Sequence, residues 1–434
     1  MAFDGAIVES IPNEFDYFEP KKVQAVVQDE FDRCVHPIAA PTHGNPIEFE
    51  IRSGPNLYLD LNKTKLAIRA RIVNPDGSNI ANDAAVGPVN LALHSLFSRV
   101  EMKLCDRDIH HQNTLYPYRA FLETLLTFTD DVAKTRLLVE GWKRDTSGHF
   151  DDFRVSADGR NTGYKERQTA WQVSAPVYLI GRLHADLFHQ HLTIPPGCPV
   201  RLRLIPAPDA FPLKKPAANA NLYKIQIDEA KLWVHTKEVS ANFALAQEAM
   251  LRDHNIRIPF TKTEMKTLTI PTGTTSIEFD GVYSGLLPER VLVGMVSDQR
   301  VTGHWNHSPF VFQHFDLSSI VLNVNGENLP RIAYQPNFTA GSAEYIREYL
   351  GLLEGLGIDT ANKSLALTPT EWATDYPLFI FRISPGGLPS LPKSGAANLS
   401  LKFRIQTPNI VTVLLFTEYS KVLEIDRDRN LITG

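Results

Sequence analysis

Histidines and carboxylates are the residues whose spacing in this chain could support chemistry, and the densest group is His189-Gln-His191, with His184 just upstream. A His-x-His pair in a β-rich chain is where a metal site can begin, so a two-domain β-sandwich enzyme is one class the sequence admits. The pattern stops short of a site, because Leu192-Thr-Ile-Pro-Pro supplies no acid after His191. An internal repeat also places Ser390 and Pro392 where a second copy would need histidines. Since a metal needs three or four converging ligands, polar residues at a strand end are the favoured reading. His110-His111 and the pair His304 and His307 lie in turn-like contexts. Asp130-Asp131 and Asp151-Asp152 are sequence neighbours whose side chains diverge or face water, unlike an acid/base pair that converges across a pocket. Gly-rich phosphate loops, nucleophile elbows and His-Glu-x-x-His are missing from the sequence. The reading is no catalytic residue, no metal and no cofactor.

The elements that would position such residues come in two copies. The stretch from His94 to Ile109 recurs 220 residues later, from His314 to Leu329. Val100, Met102 and Leu104, like Ile320, Leu322 and Val324, alternate with polar residues, which is the period of a strand with one buried face. Each copy then meets a turn, Asp106-Arg-Asp in the first and Asn325-Gly326 in the second. Trp171 through Ile180 matches Trp372 through Phe381, and Val200 to Leu204 matches Leu401 to Ile405, both at an offset of 201. Leu232 to Glu238 resembles Val413 to Glu418. Ordered matches predict two copies of one β-rich domain.

With 434 residues and 43% hydrophobic content the chain can bury two cores, given roughly 100 to 200 residues per domain. A net charge of −5, with neither sign gathered into a block, argues against a dedicated nucleic-acid surface. Cys34, Cys105 and Cys198 have no paired spacing, which predicts no disulfide framework. The first residues carry no basic leader and the apolar runs are too short to span a bilayer, so a soluble protein is expected. The pattern predicts an all-β chain of two tandem eight-stranded jelly-roll sandwiches, with short helices in the long inter-strand loops. The expected boundaries are an N-terminal arm at 1–40, a first jelly roll at 41–239, a helical connector at 240–255, a second jelly roll at 256–420 and a C-terminal tail at 421–434. Neither end offers an obvious strand. Asp145 to Arg167 reads as an exposed loop, and Arg201 and Arg203 as a solvated or intersubunit strand face.

Several stretches together resemble one family: Cys34-Val-His-Pro-Ile-Ala39, His94-Ser-Leu-Phe-Ser98, Tyr116-Pro-Tyr-Arg-Ala120 with Glu123-Thr-Leu-Leu126, Ile180-Gly-Arg-Leu-His184, Pro309 to Phe315, and Glu424-Ile-Asp-Arg-Asp-Arg-Asn430. They are similar to the hexon-like major capsid proteins of Polinton or Maverick elements and adintoviruses, over nearly the whole chain. The resemblance implies a double jelly roll that forms a homotrimeric, pseudo-hexagonal capsomer and tiles an icosahedral shell. It implies neighbouring capsomers, a penton (minor capsid) protein and cement proteins as partners, and a virion location after synthesis as a soluble protein inside the host cell. The long excursions would be outer-face decoration and intersubunit contacts. Phe15, Tyr17 and Phe18 on the arm, and Asp426, Arg427 and Arg429 in the tail, are the expected assembly residues. A carbohydrate-binding or bicupin-like enzyme is the alternative.

Overall fold

The computed structural model describes residues 24–111, 114–153, 160–339, 341, 342, 344–359, 365–384 and 393–433. Among these, the first half holds strands β1 (Val27–Val35), β2 (Ile47–Ile51), β3 (Leu57–Val73), β4 (Phe97–Leu104), β5 (Arg107–His111), β6 (Val177–Gly181), β7 (Val200–Pro206) and β8 (Lys224–Val239). They form two antiparallel sheets, β1-β8-β3-β6 and β2-β7-β4-β5. The second half holds β9 (Ile256–Ile270), β10 (Ser276–Leu286), β11 (Arg290–Ser297), β12 (Leu317–Val324), β13 (Glu327–Tyr334), β14 (Phe379–Arg382), β15 (Ser394–Phe403) and β16 (Val411–Ile425). Its sheets are β9-β16-β11-β14 and β10-β15-β12-β13, the first pair with each label raised by eight. The chain is a double jelly roll.

Register explains why the alternation works. Val100, Met102 and Leu104 of β4 lie opposite Leu204, Leu202 and Val200 of β7, all buried. The intervening partners, Glu101 opposite Arg203 and Lys103 opposite Arg201, face outward. There Arg203 pairs with Glu48 at 3.0 Å and Arg201 with Asp106 at 2.8 Å, a solvated ladder of opposite charges. Ile320 and Leu322 of β12 repeat the inward face against Leu401 and Leu399. The following two-residue turns, Cys105-Asp106 and Asn325-Gly326, all have positive φ, as a tight hairpin requires.

Three expectations are corrected. The region assigned to an arm contains β1, which pairs with β8 from Val27↔Val239 to Val35↔Leu232 and forms a sheet edge; its half-buried alternation, broken by Asp29, Glu30, Asp32 and Arg33, hides the strand period. The tail is also structured, since β16 continues to Ile425 and β17 (Leu431–Thr433) folds back on it. Asp145 to Arg167 is not simply an exposed loop: Asp145 and Arg167 are buried and paired at 2.6 Å.

Helices fill the connections: α1 (Tyr116–Thr127), α2 (Thr162–Ala170), α3 (Ala241–Met250), α4 (Ile346–Leu356) and α5 (Pro369–Asp375). Ser240 caps α3 by accepting from the Phe243 N–H at 3.4 Å. Thr368 and Glu371 make a reciprocal capping box on α5.

Candidate functional site at the junction of the sandwiches

Helix α1 is apolar on one side and polar on the other, and both sides are buried. Tyr118, Phe121, Leu122 and Leu125 enter the hydrophobic core of the second sandwich. Phe121 stacks on Phe310 with centroids 4.3 Å apart and planes 3° from parallel, and the Tyr118 hydroxyl donates to the Pro309 carbonyl at 2.9 Å. The first excursion is thus not only outer-face decoration. A helix with buried residues all round is a core element, and this one cements the two halves. The segment after it latches on as well: Asp151 takes Arg300 at 2.7 Å and the Ser308 N–H at 2.7 Å, while Asp375 accepts from the Gly148 N–H at 3.0 Å. Asp151 and Asp152 do diverge, Asp152 turning to His149 at 3.0 Å.

Tyr116, Arg119 and Glu123, near one another on the polar side of α1, organise an ionic cluster. Arg119 meets Glu123 at 2.7 Å and Asp186 at 2.7 Å, and Asp186 accepts from the Thr263 N–H of β9 at 3.2 Å, which carries the network into the second half. Glu123 also faces His184 Nδ1 at 2.6 Å and His189 Nε2 at 3.2 Å. Behind His184 lies His94, with ring centroids 4.6 Å apart; its Nδ1 is 2.9 Å from the Tyr116 hydroxyl and its Nε2 is 3.5 Å from Glu140. Alongside is a cavity of about 250 Å³, lined among others by Glu123, Arg182, His184, Thr263, Arg290 and Glu418.

Burial and charge compete in this cluster. Burial pushes the Glu123 carboxyl up, but Arg119, His189 and His184 together hold it well below the usual carboxylate range. Burial likewise opposes ionisation of Glu140, and His94 more than offsets it, so its carboxyl titrates low. For His184 burial wins over the pull of Glu123 and drives the imidazole down to about 4, which leaves it neutral at pH 7. Burial works against the Arg119 charge, yet Glu123 and Asp186 raise its affinity for the proton above the ordinary value.

The predicted His-x-His pair is divided by the fold. His189 joins Glu123, whereas His191 is exposed and lies 3.2 Å from the Asn62 amide. His304 and His307 face each other across a short bridge, His307 also reaching Asp151 at 3.1 Å. Sequence reasoning singled out His184 and His189 but assigned no role in chemistry to His94, Glu123 or Glu140. The i, i+4 spacing of Arg119 and Glu123 on an otherwise apolar helix is the one local signal that could have found the pair.

Among the assembly residues, Asp426 accepts from the Asp428 N–H at 2.9 Å and the Asn430 N–H at 2.8 Å, closing the turn between β16 and β17. Arg427 is exposed and Arg429 pairs with Glu248 of α3. Phe15, Tyr17 and Phe18, like Ser390 and Pro392, lie outside the described residues. No helix among the described residues is long and apolar enough to cross a membrane.

The fold defines a class, the double jelly roll, and comparisons place particular proteins beside it. No family model matches the chain. An uncharacterized protein of Caenorhabditis elegans is 22% identical over 404 residues, covering 89% of this chain and 93% of that protein. In three dimensions the chain is similar to a chain of the Sputnik virophage solved by cryo-EM, with TM-score 0.61 and 9% identity over 99% of this chain and 93% of that one. It is also similar to the mavirus major capsid protein, with TM-score 0.53 and 10% identity over 99% and 95% of the two chains. The Faustovirus major capsid protein gives TM-score 0.55 and 10% identity over 93% and 92%.

Proposed function

We propose that this chain is a structural major capsid protein, of the kind found in Polinton or Maverick elements and adintoviruses, which forms homotrimeric pseudo-hexagonal capsomers that tile an icosahedral shell. The observation that carries the reading is two sandwiches of identical strand order in one chain, joined by a buried helix. Two similar units taken three times around a threefold axis give six nearly equivalent sides, an outline that fills hexagonal sites in a plane. Likeness in fold to viral capsid chains across almost the full length supports it. The ionic cluster is then structural, holding the two halves in the fixed relation that a regular outline demands, and no residue is assigned to catalysis. Partners are neighbouring capsomers, a penton protein and cement proteins. Phe15, Tyr17 and Phe18 before β1, with the exposed Arg427 and the neighbouring Asp426 and Arg429, are the proposed contacts between capsomers.

Light scattering of the purified protein, combined with electron micrographs, tests the proposal. Trimers that bury more than roughly 2,000 Å² per interface and assemble into closed shells are the expected result. A stable monomer at micromolar concentration overturns it. Because β1 begins at Val27, the arm is probed by removing residues 1–23 and not further. Trimers should persist while shells fail to close.

A further inference from the structure

We infer that His94, Glu140 and His184 form a binding site for a single zinc-class dication beside the junction of the two sandwiches. One ligand atom from each lies within 4.8 Å of the others, and all three residues are buried. Tetrahedral zinc with bonds of about 2.0 to 2.1 Å sets its ligand atoms roughly 3.3 to 3.5 Å apart. His94 Nε2 and Glu140 Oε2 stand at that separation, 3.5 Å. His94 Nε2 is in a residue 0% exposed and reaches the Glu140 carboxylate only at 3.5 Å, too long for a good hydrogen bond, and an ion between the two would satisfy both.

The surroundings are those of coordinating imidazoles. A metal-bound histidine gives its far N–H to a carboxylate or another oxygen, which sets the tautomer and aims the ring. His94 Nδ1 lies 2.9 Å from the Tyr116 hydroxyl, and His184 Nδ1 lies 2.6 Å from Glu123, which leaves Nε2 of each ring for the metal. Glu123 itself sits at hydrogen-bond distance from His184 and is held by Arg119, so it supports the site from outside. Two imidazoles and one carboxylate form a zinc-type donor set with a fourth position for water.

The three ligands come from separate segments: the short helix Ala92–Ser95, the turn Arg136–Glu140 and the loop after β6. One ion would tie these segments together beneath α1. The repeat does not reproduce the site, because His314, the counterpart of His94, accepts from the Asp316 N–H at 2.9 Å and stacks on Phe338 at 4.2 Å.

The test uses the full chain, stripped with a chelator, dialysed, and titrated with zinc by calorimetry. X-ray absorption of the loaded wild type reports the ligands. The expected result is one zinc per chain, a raised thermal midpoint, and a first shell of two imidazoles plus oxygen without sulfur. Glu140→Gln and His94→Gln should weaken binding by roughly tenfold or more, whereas His191→Ala should leave it unchanged. Failure of the wild type to bind zinc at tens of micromolar, a shell containing sulfur, or folded variants that bind like the wild type would each overturn the site. Because Glu123, His184 and His189 offer the same donor set, His189→Ala is titrated alongside: binding like the wild type supports the site even if neither other variant folds, and loss of binding overturns it.

Discussion

Replacing Arg119 by methionine is the most direct probe of how the two halves are held together. The guanidinium is 1% exposed in its side chain and spans Glu123 and Asp186, both at 2.7 Å. Removing it leaves two buried carboxylates facing each other across the space it filled, one of them tied to β9 through Thr263. Breaking one side of a buried ion network costs about 3 to 5 kcal/mol. A unit of about 200 residues loses roughly 2 to 4 °C of thermal midpoint per kcal/mol, so the fall should be roughly 6 to 20 °C. Differential scanning calorimetry reads this, with the triple variant Arg119→Met, Glu123→Gln, Asp186→Asn alongside. Methionine fills much of the same volume and the amides carry no charge, so the triple variant should recover most of the loss. A single variant within about 1 kcal/mol of the wild type would refute the claim that the carboxylates depend on this guanidinium. A triple variant no better than the single one would assign the loss to packing.

Lys214 is buried against Phe153 and Tyr164, its ammonium donating to the Phe150 carbonyl, and burial brings its pKa down to about 8. The folded chain therefore releases this proton near pH 8 while the unfolded chain holds it to about 10.5, so the unfolded state binds more protons between those values and stability rises with pH. Relative to Lys214→Met, the wild type should gain up to about 3 kcal/mol across that window in urea titrations, and a difference independent of pH would reject this reading. A Cβ at Gly163, the start of α2, would collide with the Arg144 carbonyl, which cannot swing aside as a side chain would. Gly163→Ala should cost about 1 to 3 kcal/mol, measured as a lower urea midpoint, and an unchanged midpoint would count against the close approach. Phe121→Ala should cost about 3 to 5 kcal/mol and loosen hydrogen-exchange protection in both sandwiches; loss confined to the first would show that α1 does not couple them.

The fold was legible where one face of a strand is buried and the other wet. Val100, Met102 and Leu104 announce β4 because their neighbours are charged, and β12 carries a weaker form of the alternation, with Ser319 and Asn323 as its polar positions beside Ile320 and Leu322. Asn325-Gly326 marks its turn for a local reason, positive φ. The edge strand β1 escaped notice because it buries little. β1 alternates only between half-buried and exposed, and the pairing that makes it a strand comes from β8, about 200 residues away.

By itself, then, the sequence determined that there are two copies of one β-rich unit, that their matching strands follow in the same order along the chain, and that short helices lie in the long loops between strands. Those features depend on periodicity and on neighbours a few residues apart. The tertiary structure alone decided that α1 lies between the units and that His94 and Glu140 on one side, Glu123 and His189 on the other, form two groups sharing His184, while His191 turns away. Convergence of side chains from four segments depends on how the sheets stack, and no local pattern records which residues long-range packing will bring within a few ångströms.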